Sequence, residues 1–157
     1  MLSTIRSWKR KEVGLPVKLQ RIVLEVFGGC NYTCKMCPQS DPGRGKHFTR
    51  KMPLKTFEGV LDKIVPKYGR PIIGIAGSGE ATMAKNLAEY VRAVKSRGLV
   101  AFMYTNGAKL KGKFMNGVID AEIDFIRFSV IGYNKQTYLK WMNVDNFDLI
   151  KSIASFG

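Results

Sequence analysis

Three cysteines, Cys30, Cys34 and Cys37, lie within eight positions and have the spacing C-x3-C-x2-C. They follow the apolar run 21–27 and a pair of glycines, so a loop at the end of a strand would present three thiolates to one point. Thiolates grouped in this way hold iron–sulfur clusters, and a cubane cluster normally takes four protein ligands. Three ligands leave one iron open, and an open position is where a metal site performs chemistry rather than only holding a fold.

Strand-like and helix-like apolar patterns alternate along the chain. Near-continuous apolar runs predict strands at residues 21–27, 71–76, 99–105 and 125–131. Apolar residues at helical spacing predict helices between and after these strands, the first of them capped by Thr56 and ended by Pro66 and Gly69. This alternation predicts an α/β fold of about four parallel strand–helix units, with right-handed crossovers that roll the sheet into a partial (β/α) barrel.

Small and polar residues stand at the carboxyl ends of the predicted strands, where such folds place their chemistry. The second strand leads into Gly77-Ser78-Gly79-Glu80, and Ser129 lies late in the fourth strand. Glycines let backbone carbonyls approach a ligand closely, and the Glu80 carboxylate would complement a positive charge. After the third strand, Asn106-Gly107 is interpreted as a turn, because both residues tolerate positive φ.

The cysteine spacing and the Gly77–Glu80 motif resemble the radical S-adenosylmethionine (radical SAM) superfamily. In that family a [4Fe-4S] cluster binds S-adenosylmethionine at its open iron, and one electron splits the cofactor into methionine and a 5′-deoxyadenosyl radical that abstracts hydrogen from a substrate. The resemblance implies that Cys30, Cys34 and Cys37 ligate the cluster. It also implies that Met36 contacts the adenine of the cofactor and that Ser129 contacts its ribose. The methionine part of the cofactor would be held by Gly77, Ser78, Gly79 and Glu80. For Ser129, a hydroxyl bonded to a neighbouring strand carbonyl is the alternative.

The resemblance extends over residues 20–155, but the family's core usually has six units, and its fifth strand, which packs the adenine, is not found. We therefore expect residues 1–20 to be a basic lead-in and residues 21–157 to be an incomplete, C-terminally truncated radical SAM core. The cysteine loop and residues 52–64 resemble subfamilies that have cysteine-rich C-terminal extensions. A four-stranded sheet predicts an apolar edge after the fourth strand. No residue on the substrate side can be assigned, so the substrate is unknown.

The net charge of +14 arises from 26 basic and 12 acidic residues. The basic residues are spread over several segments, which favours attraction to an acidic redox partner over nucleic-acid binding. The resemblance implies a small reductant protein of flavodoxin or ferredoxin type, and a peptide or small molecule is the favoured substrate class. Three cysteines in one loop are not a disulfide framework, and no apolar run could span a membrane, so a cytoplasmic setting is expected.

Other interpretations of the cysteine loop stay open. His47 could complete a structural Cys3His zinc site, although zinc modules usually divide their ligands into two separated pairs. The chain could also be a non-catalytic electron-transfer module, or an inactive fragment that still binds the cluster. Glu25 interrupts the first strand and would be either a contact inside the barrel or a solvated strand residue.

Overall fold

The computed structural model describes residues 19–41 and 50–154. Within these ranges four strands form one parallel sheet in chain order: β1 (Arg21–Leu24), β2 (Ile72–Ile75), β3 (Ala101–Thr105) and β4 (Phe125–Phe128). The helices are α1 (Leu54–Tyr68), α2 (Leu87–Lys95), α3 (Gly112–Ile119), α4 (Lys135–Met142) and α5 (Phe147–Ala154). The predicted α/β fold of about four parallel units is confirmed. His47 and nearly all of the predicted lead-in over residues 1–20 lie outside the described residues.

The centre of the sheet is buried on both faces, as parallel strands require. Ile73 of β2 pairs with Ala101 of β3, Ile75 pairs with Met103, and all four are fully buried. Helices α1 and α2 pack against the same core with apolar faces whose residues recur at helical spacing. These residues are Phe57, Leu61 and Ile64 in α1, and Leu87, Tyr90, Val91 and Val94 in α2. This core fixes the loops that leave the carboxyl ends of β2 and β3.

The outer strands end earlier than predicted. β1 stops at Leu24, because the chain beyond it pairs with residues 51 and 52 instead of with β2. Phe27 forms an antiparallel bridge with Lys51, and the Val26 carbonyl accepts the Met52 N–H. β4 stops at Phe128, so Ser129 lies just past the strand. In these outer strands the apolar run does not predict full burial either, since Val23 is 48% and Phe125 63% exposed. The extent of a strand depends on which backbone lies beside it.

The predicted start of α1 and the predicted role of Pro66 in ending it are both wrong. The helix begins at Leu54 after Pro53 in the capping position, so Thr56 lies within the first turn and caps nothing. Pro66 lies inside the helix near its end, where only one backbone hydrogen bond is lost, and the helix ends at Gly69 as predicted. No helix in the part of the chain that the structure describes is long and apolar enough to cross a bilayer.

Candidate metal and cofactor site

A cavity of about 330 Å³ opens where β1, β2 and β3 end, and helix α4 forms part of its wall. Every residue predicted from the sequence to bind the cluster or the cofactor lines this cavity: Cys30, Cys34, Met36, Cys37, Gly77, Ser78, Gly79, Glu80 and Ser129. These residues come from three separate segments of the chain. The sheet therefore brings together one group of thiols and one glycine-rich loop, and the individual roles of these residues stay predictions.

The cysteine loop is held at both ends by hydrogen bonds. At its start, the Gly28 N–H donates to the Arg50 carbonyl over 2.9 Å. Within the loop, the Cys37 N–H and the Ser40 hydroxyl both donate to the Cys34 carbonyl, over 2.9 and 2.8 Å, and Pro38–Ser40 forms a single helical turn. All three cysteines are free thiols. These contacts fix the backbone of the loop from which all three cysteines line the cavity.

The surroundings of Cys30 and Cys34 disfavour their thiolate forms when no cation is bound. Burial raises the pKa of Cys30, and the negative charges of Glu80 and Cys37 add to this, against the lowering effect of hydrogen bonds from the Tyr32 backbone and the Asn106 side chain. Burial also raises the pKa of Cys34, with further contributions from Cys30 and Cys37. Three thiolates would repel one another here, and a metal centre among them would remove that penalty. The donor set thus fits an iron–sulfur cluster, for which soft thiolates are the usual ligands.

The zinc alternative gains no support from the described residues. Within residues 19–41 and 50–154, no group of three His, Cys, Asp or Glu side chains is arranged to hold a single metal ion. His47, its proposed fourth ligand, is not among those residues. A cluster differs from a single ion in that its ligands bind separate irons and need not meet at one atom.

Glu25 holds the loop after β2, which is neither of the two roles considered from the sequence. Its Oε2 accepts the backbone N–H groups of Ser78 and Gly79, the latter over 3.1 Å. A Cβ at position 77 would overlap the Glu25 carboxylate, so glycine is needed there for the loop to approach this side chain. The half-buried carboxylate thereby fixes the orientation of the peptide groups that face the cavity.

Glu80 is almost fully buried, with 4% exposure, and its carboxylate is well supplied with donors. Oε1 accepts the N–H and the hydroxyl of Thr82 and the hydroxyl of Thr105, over 3.0, 2.6 and 2.6 Å. Oε2 accepts the Asn106 N–H over 2.8 Å. Glu80 therefore joins the loop after β2 to the end of β3. Among the described residues one donor reaches Oε2, so this oxygen keeps acceptor capacity for the positive charge predicted to lie in the cavity.

Asn106 was interpreted from the sequence as a turn residue, and in the structure its side chain also contacts the cysteine loop. The amide is buried; its Oδ1 accepts the Ala108 N–H over 3.1 Å, while its Nδ2 donates to Asn31 over 3.0 Å and lies 3.8 Å from Cys30 Sγ. Hydrogen bonds to a ligand sulfur tune the potential of a cluster. The signal in the sequence was its place after a strand, at the same edge of the sheet as the cysteines.

Helix α4 forms a wall that sequence reasoning did not assign to the site. Met142 lines the cavity, and its Sδ lies 3.9 Å from Cys34 Sγ. Tyr138 of the same helix is completely buried, and this burial raises the pKa of its hydroxyl. Tyr32 of the cysteine loop accepts a hydrogen bond from the Asn146 side chain over 2.8 Å. These contacts pack α4 and the chain that follows it against the cysteine loop.

Comparisons with known proteins agree with this geometry. The family model described as "Radical SAM superfamily" matches residues 24–154. A protein of Saccharolobus solfataricus named "Probable GTP 3′,8-cyclase" is 29% identical over 144 residues, which are 90% of this chain and 44% of that protein. A Methanocaldococcus jannaschii protein described as a glycyl-radical enzyme activating enzyme is 27% identical over 135 residues, 82% of this chain and 47% of that protein. The chain thus spans less than half the length of these curated relatives.

Solved structures share the fold. The crystal structure of BtrN in complex with AdoMet and 2-DOIA matches with a TM-score of 0.61 and 25% identity, covering 69% of this chain and 45% of that one. Streptococcus suis SuiB bound to its precursor peptide SuiA matches with a TM-score of 0.66, covering 85% of this chain and 29% of SuiB, and at 18% identity it shows the fold alone. Because the family model matches most of its length, this chain belongs to the radical SAM superfamily.

Proposed function

We propose that this chain binds a [4Fe-4S] cluster through Cys30, Cys34 and Cys37 and cleaves S-adenosylmethionine reductively. The observation that carries the proposal is that these three thiols and the loop Gly77–Glu80 line one cavity. When bound, the cluster would supply the electron that splits the sulfonium into methionine and a 5′-deoxyadenosyl radical. The radical would then abstract hydrogen from a substrate.

The protein's own residues would bind and orient the cofactor. Carbonyls of the loop at Gly77 and Ser78, whose position is fixed by Glu25, would accept from the methionyl ammonium, and Glu80 would add negative charge next to it. Met36, which is 41% exposed at the cavity, would contact the adenine. Ser129, also at the cavity, would contact the ribose. Such positioning raises the rate by holding the reacting groups in one arrangement.

The substrate, the reductant and the compartment are parts of the same proposal. A peptide or small molecule is favoured as the substrate, and the names of the relatives do not decide between them, since the chain spans less than half of each. The proposed reductant is a small acidic electron-transfer protein, in keeping with the charge of +14. Three free thiols in one cavity support a reducing, cytoplasmic compartment.

Anaerobic reconstitution with iron and sulfide tests the proposal. We expect a brown protein with about four irons per chain, which releases 5′-deoxyadenosine and methionine from S-adenosylmethionine under dithionite. Cys37→Ala should lose both cluster and product. Lys35→Ala, an exposed position between Cys34 and Met36 that does not line the cavity, should keep both.

The outcomes separate this proposal from its rivals. A colourless protein that holds a single zinc ion would show the structural metal module instead. A brown protein that is reduced by dithionite and yet releases no 5′-deoxyadenosine would be an electron-transfer module or an inactive fragment. Either result would overturn the proposed cleavage, and only the second would leave the three cysteines as cluster ligands.

A further inference from the structure

A second cavity, of about 450 Å³, opens at the same edge of the sheet. It lies between the segment that follows β2 and the segment that follows β3, and we call it the lysine pocket. It is lined by Thr82, Met83, Lys85, Lys109, Lys111 and Phe114. None of these residues is predicted to bind the cluster or S-adenosylmethionine.

The lysine pocket concentrates positive charge that no acidic side chain of the described residues neutralises. Lys85, Lys109 and Lys111 are exposed, and none of them has an acidic partner in the described ranges 19–41 and 50–154. By contrast, two lysines elsewhere in the described ranges, Lys95 and Lys135, do form ion pairs. Three uncompensated ammonium groups around one concavity create a local potential that attracts anionic surfaces.

The apolar part of the pocket distinguishes it from a uniformly polar surface. Met83 and Phe114 are partly buried and line the same cavity as the lysines. A polar rim around apolar contacts is the usual composition of a protein–protein interface, and methionine and aromatic residues are enriched at such interfaces. A small hydrated anion such as phosphate would leave this apolar surface without a partner.

The lysine pocket adjoins the cavity of the cysteines. Thr82, which lines the pocket, donates its hydroxyl to Glu80, which lines the other cavity. Glu80 in turn accepts the Asn106 N–H over 2.8 Å, and the Asn106 side chain lies 3.8 Å from Cys30 Sγ. A chain of hydrogen-bonded residues therefore connects the floor of the pocket with a thiol predicted to ligate the cluster.

We propose that the lysine pocket is the docking site for an acidic protein that donates electrons to the cluster. This inference rests on the proposed function, because it assumes a reducible cluster behind Glu80. In the step itself one electron leaves the reduced donor and enters the cluster, and no bond is made or broken. Docking at the lysine pocket would bring the donor against the wall that the two cavities share, and electrostatic attraction would raise the rate of encounter.

Charge reversal tests the docking site. The variant Lys85→Glu/Lys109→Glu/Lys111→Glu is compared with Lys55→Glu/Lys63→Glu/Lys67→Glu, which changes three exposed lysines of α1 and lowers the formal charge equally, from +14 to +8, six charges in each case. The probe is a reduced flavodoxin, an acidic one-electron donor, and the readout is the loss of the cluster's visible absorbance in stopped flow. We expect the pocket variant to be reduced at least about tenfold more slowly at low ionic strength, and the α1 variant to be affected much less.

Two further measurements keep the result interpretable. Reduction by dithionite should be equal in all three proteins, which would show that the cluster itself is unchanged. Binding of oxidised flavodoxin to the cluster-free proteins, measured by titration calorimetry, should be weakened in the pocket variant alone. If no cluster forms at all, the proposed function fails, and this binding measurement still decides whether the pocket docks the donor.

Several results would overturn the inference. Equal slowing in both triple variants would show that only the overall charge matters. Unchanged reduction by flavodoxin in the pocket variant would show that the donor docks elsewhere. Binding of inorganic phosphate that is lost in the pocket variant, without any effect on flavodoxin, would identify a small-anion site instead.

Discussion

Gly79 lies where the loop after β2 meets the cysteine loop at the closest approach. A Cβ at this position would overlap the Phe27 carbonyl oxygen and would lie 2.6 Å from the Gly28 carbonyl carbon and 2.7 Å from the Gly29 oxygen. These are backbone atoms, which cannot rotate away as the end of a side chain can. The neighbouring Glu80 N–H donates to the same Gly29 carbonyl over 2.7 Å. Any side chain at position 79 would therefore separate the two loops that form the cavity.

Alanine at position 79 should destabilise the protein, whereas alanine at another glycine should stabilise it. We expect Gly79→Ala to lower the free energy of unfolding by about 1–3 kcal/mol through overpacking. Gly59 lies inside α1 with no atom within 4 Å of an added Cβ, so Gly59→Ala should raise that free energy by about 0.5–1 kcal/mol. Urea unfolding of both variants measures the difference. Similar changes in the two would contradict this account of the loop contact.

The types of the site residues could be predicted from the sequence, but some of their contacts could not. The cysteines and the Gly77–Glu80 motif are local patterns, and all of them line the cavity. Glu25 instead acts on Ser78, 53 positions away, and Asn106 lies beside Cys30, 76 positions away. A carboxylate in a strand or an amide in a turn gives no sign of such a distant partner, because only the register of the sheet brings the two together.

At the scale of elements, Asp124 connects three pieces of secondary structure. It lies just before β4; its carboxylate accepts the Lys95 ammonium at the end of α2 over 2.7 and 2.8 Å, and the Ala101 N–H at the start of β3 over 2.8 Å. Burial opposes ionisation of Asp124, but the hydrogen bonds from Lys95 and Ala101 outweigh it and lower the pKa of the carboxyl. The charged form thus stabilises the joint between α2 and the sheet.

This carboxylate should make stability depend on pH in the acid range. Its pKa in the folded protein lies below the value of about 3.9 in the unfolded chain. The stabilisation is therefore complete above that value and is lost as the pH falls through the folded pKa. We expect Asp124→Asn to cost about 1 kcal/mol at neutral pH and to flatten the pH dependence of the urea midpoint at acid pH.

Asp62→Asn is the matched control for Asp124→Asn. Asp62 also pairs with a cation, Arg97, over 2.8 Å, and that hydrogen bond lowers its pKa. Its side chain is 64% exposed, whereas that of Asp124 is 29% exposed, so solvent screens the Asp62 pair more strongly. Asp62→Asn should therefore change the acid dependence less, and an equal change would count against the joint at Asp124.

The elements themselves were predictable where burial alone decides them. Both β2 and β3 lie at the centre of the sheet and appear in the sequence as continuous apolar runs, since parallel central strands are covered on both faces. The start of α1 was not predictable from residue type. Thr56 is of a type that commonly caps helices, but Pro53 occupies the capping position. Boundaries depend on which backbone groups find partners, and that depends on the rest of the fold.

At the scale of the whole molecule, the described part of the sheet has an open edge at β4 with an exposed apolar residue, as the sequence predicted. In the described ranges β4 pairs only with β3, which leaves the backbone groups of its other side without a neighbouring strand. Phe125 at the start of β4 is 63% exposed. An edge of this kind pairs readily with another chain. The net charge of +14 opposes such association, and salt weakens that repulsion.

The balance between edge pairing and repulsion predicts salt-dependent self-association. We expect the protein to be monomeric at low ionic strength and to associate as salt is added, because screening removes the repulsion and leaves the attraction of the edge. Phe125→Lys should suppress this association, since a lysine on an edge strand blocks pairing. Tyr133→Lys, which changes an 86% exposed aromatic residue outside the sheet, adds the same charge and should have a smaller effect. Sedimentation velocity at several salt concentrations measures the outcome. Equal suppression by both substitutions would mean that charge alone, and not the β4 edge, controls association.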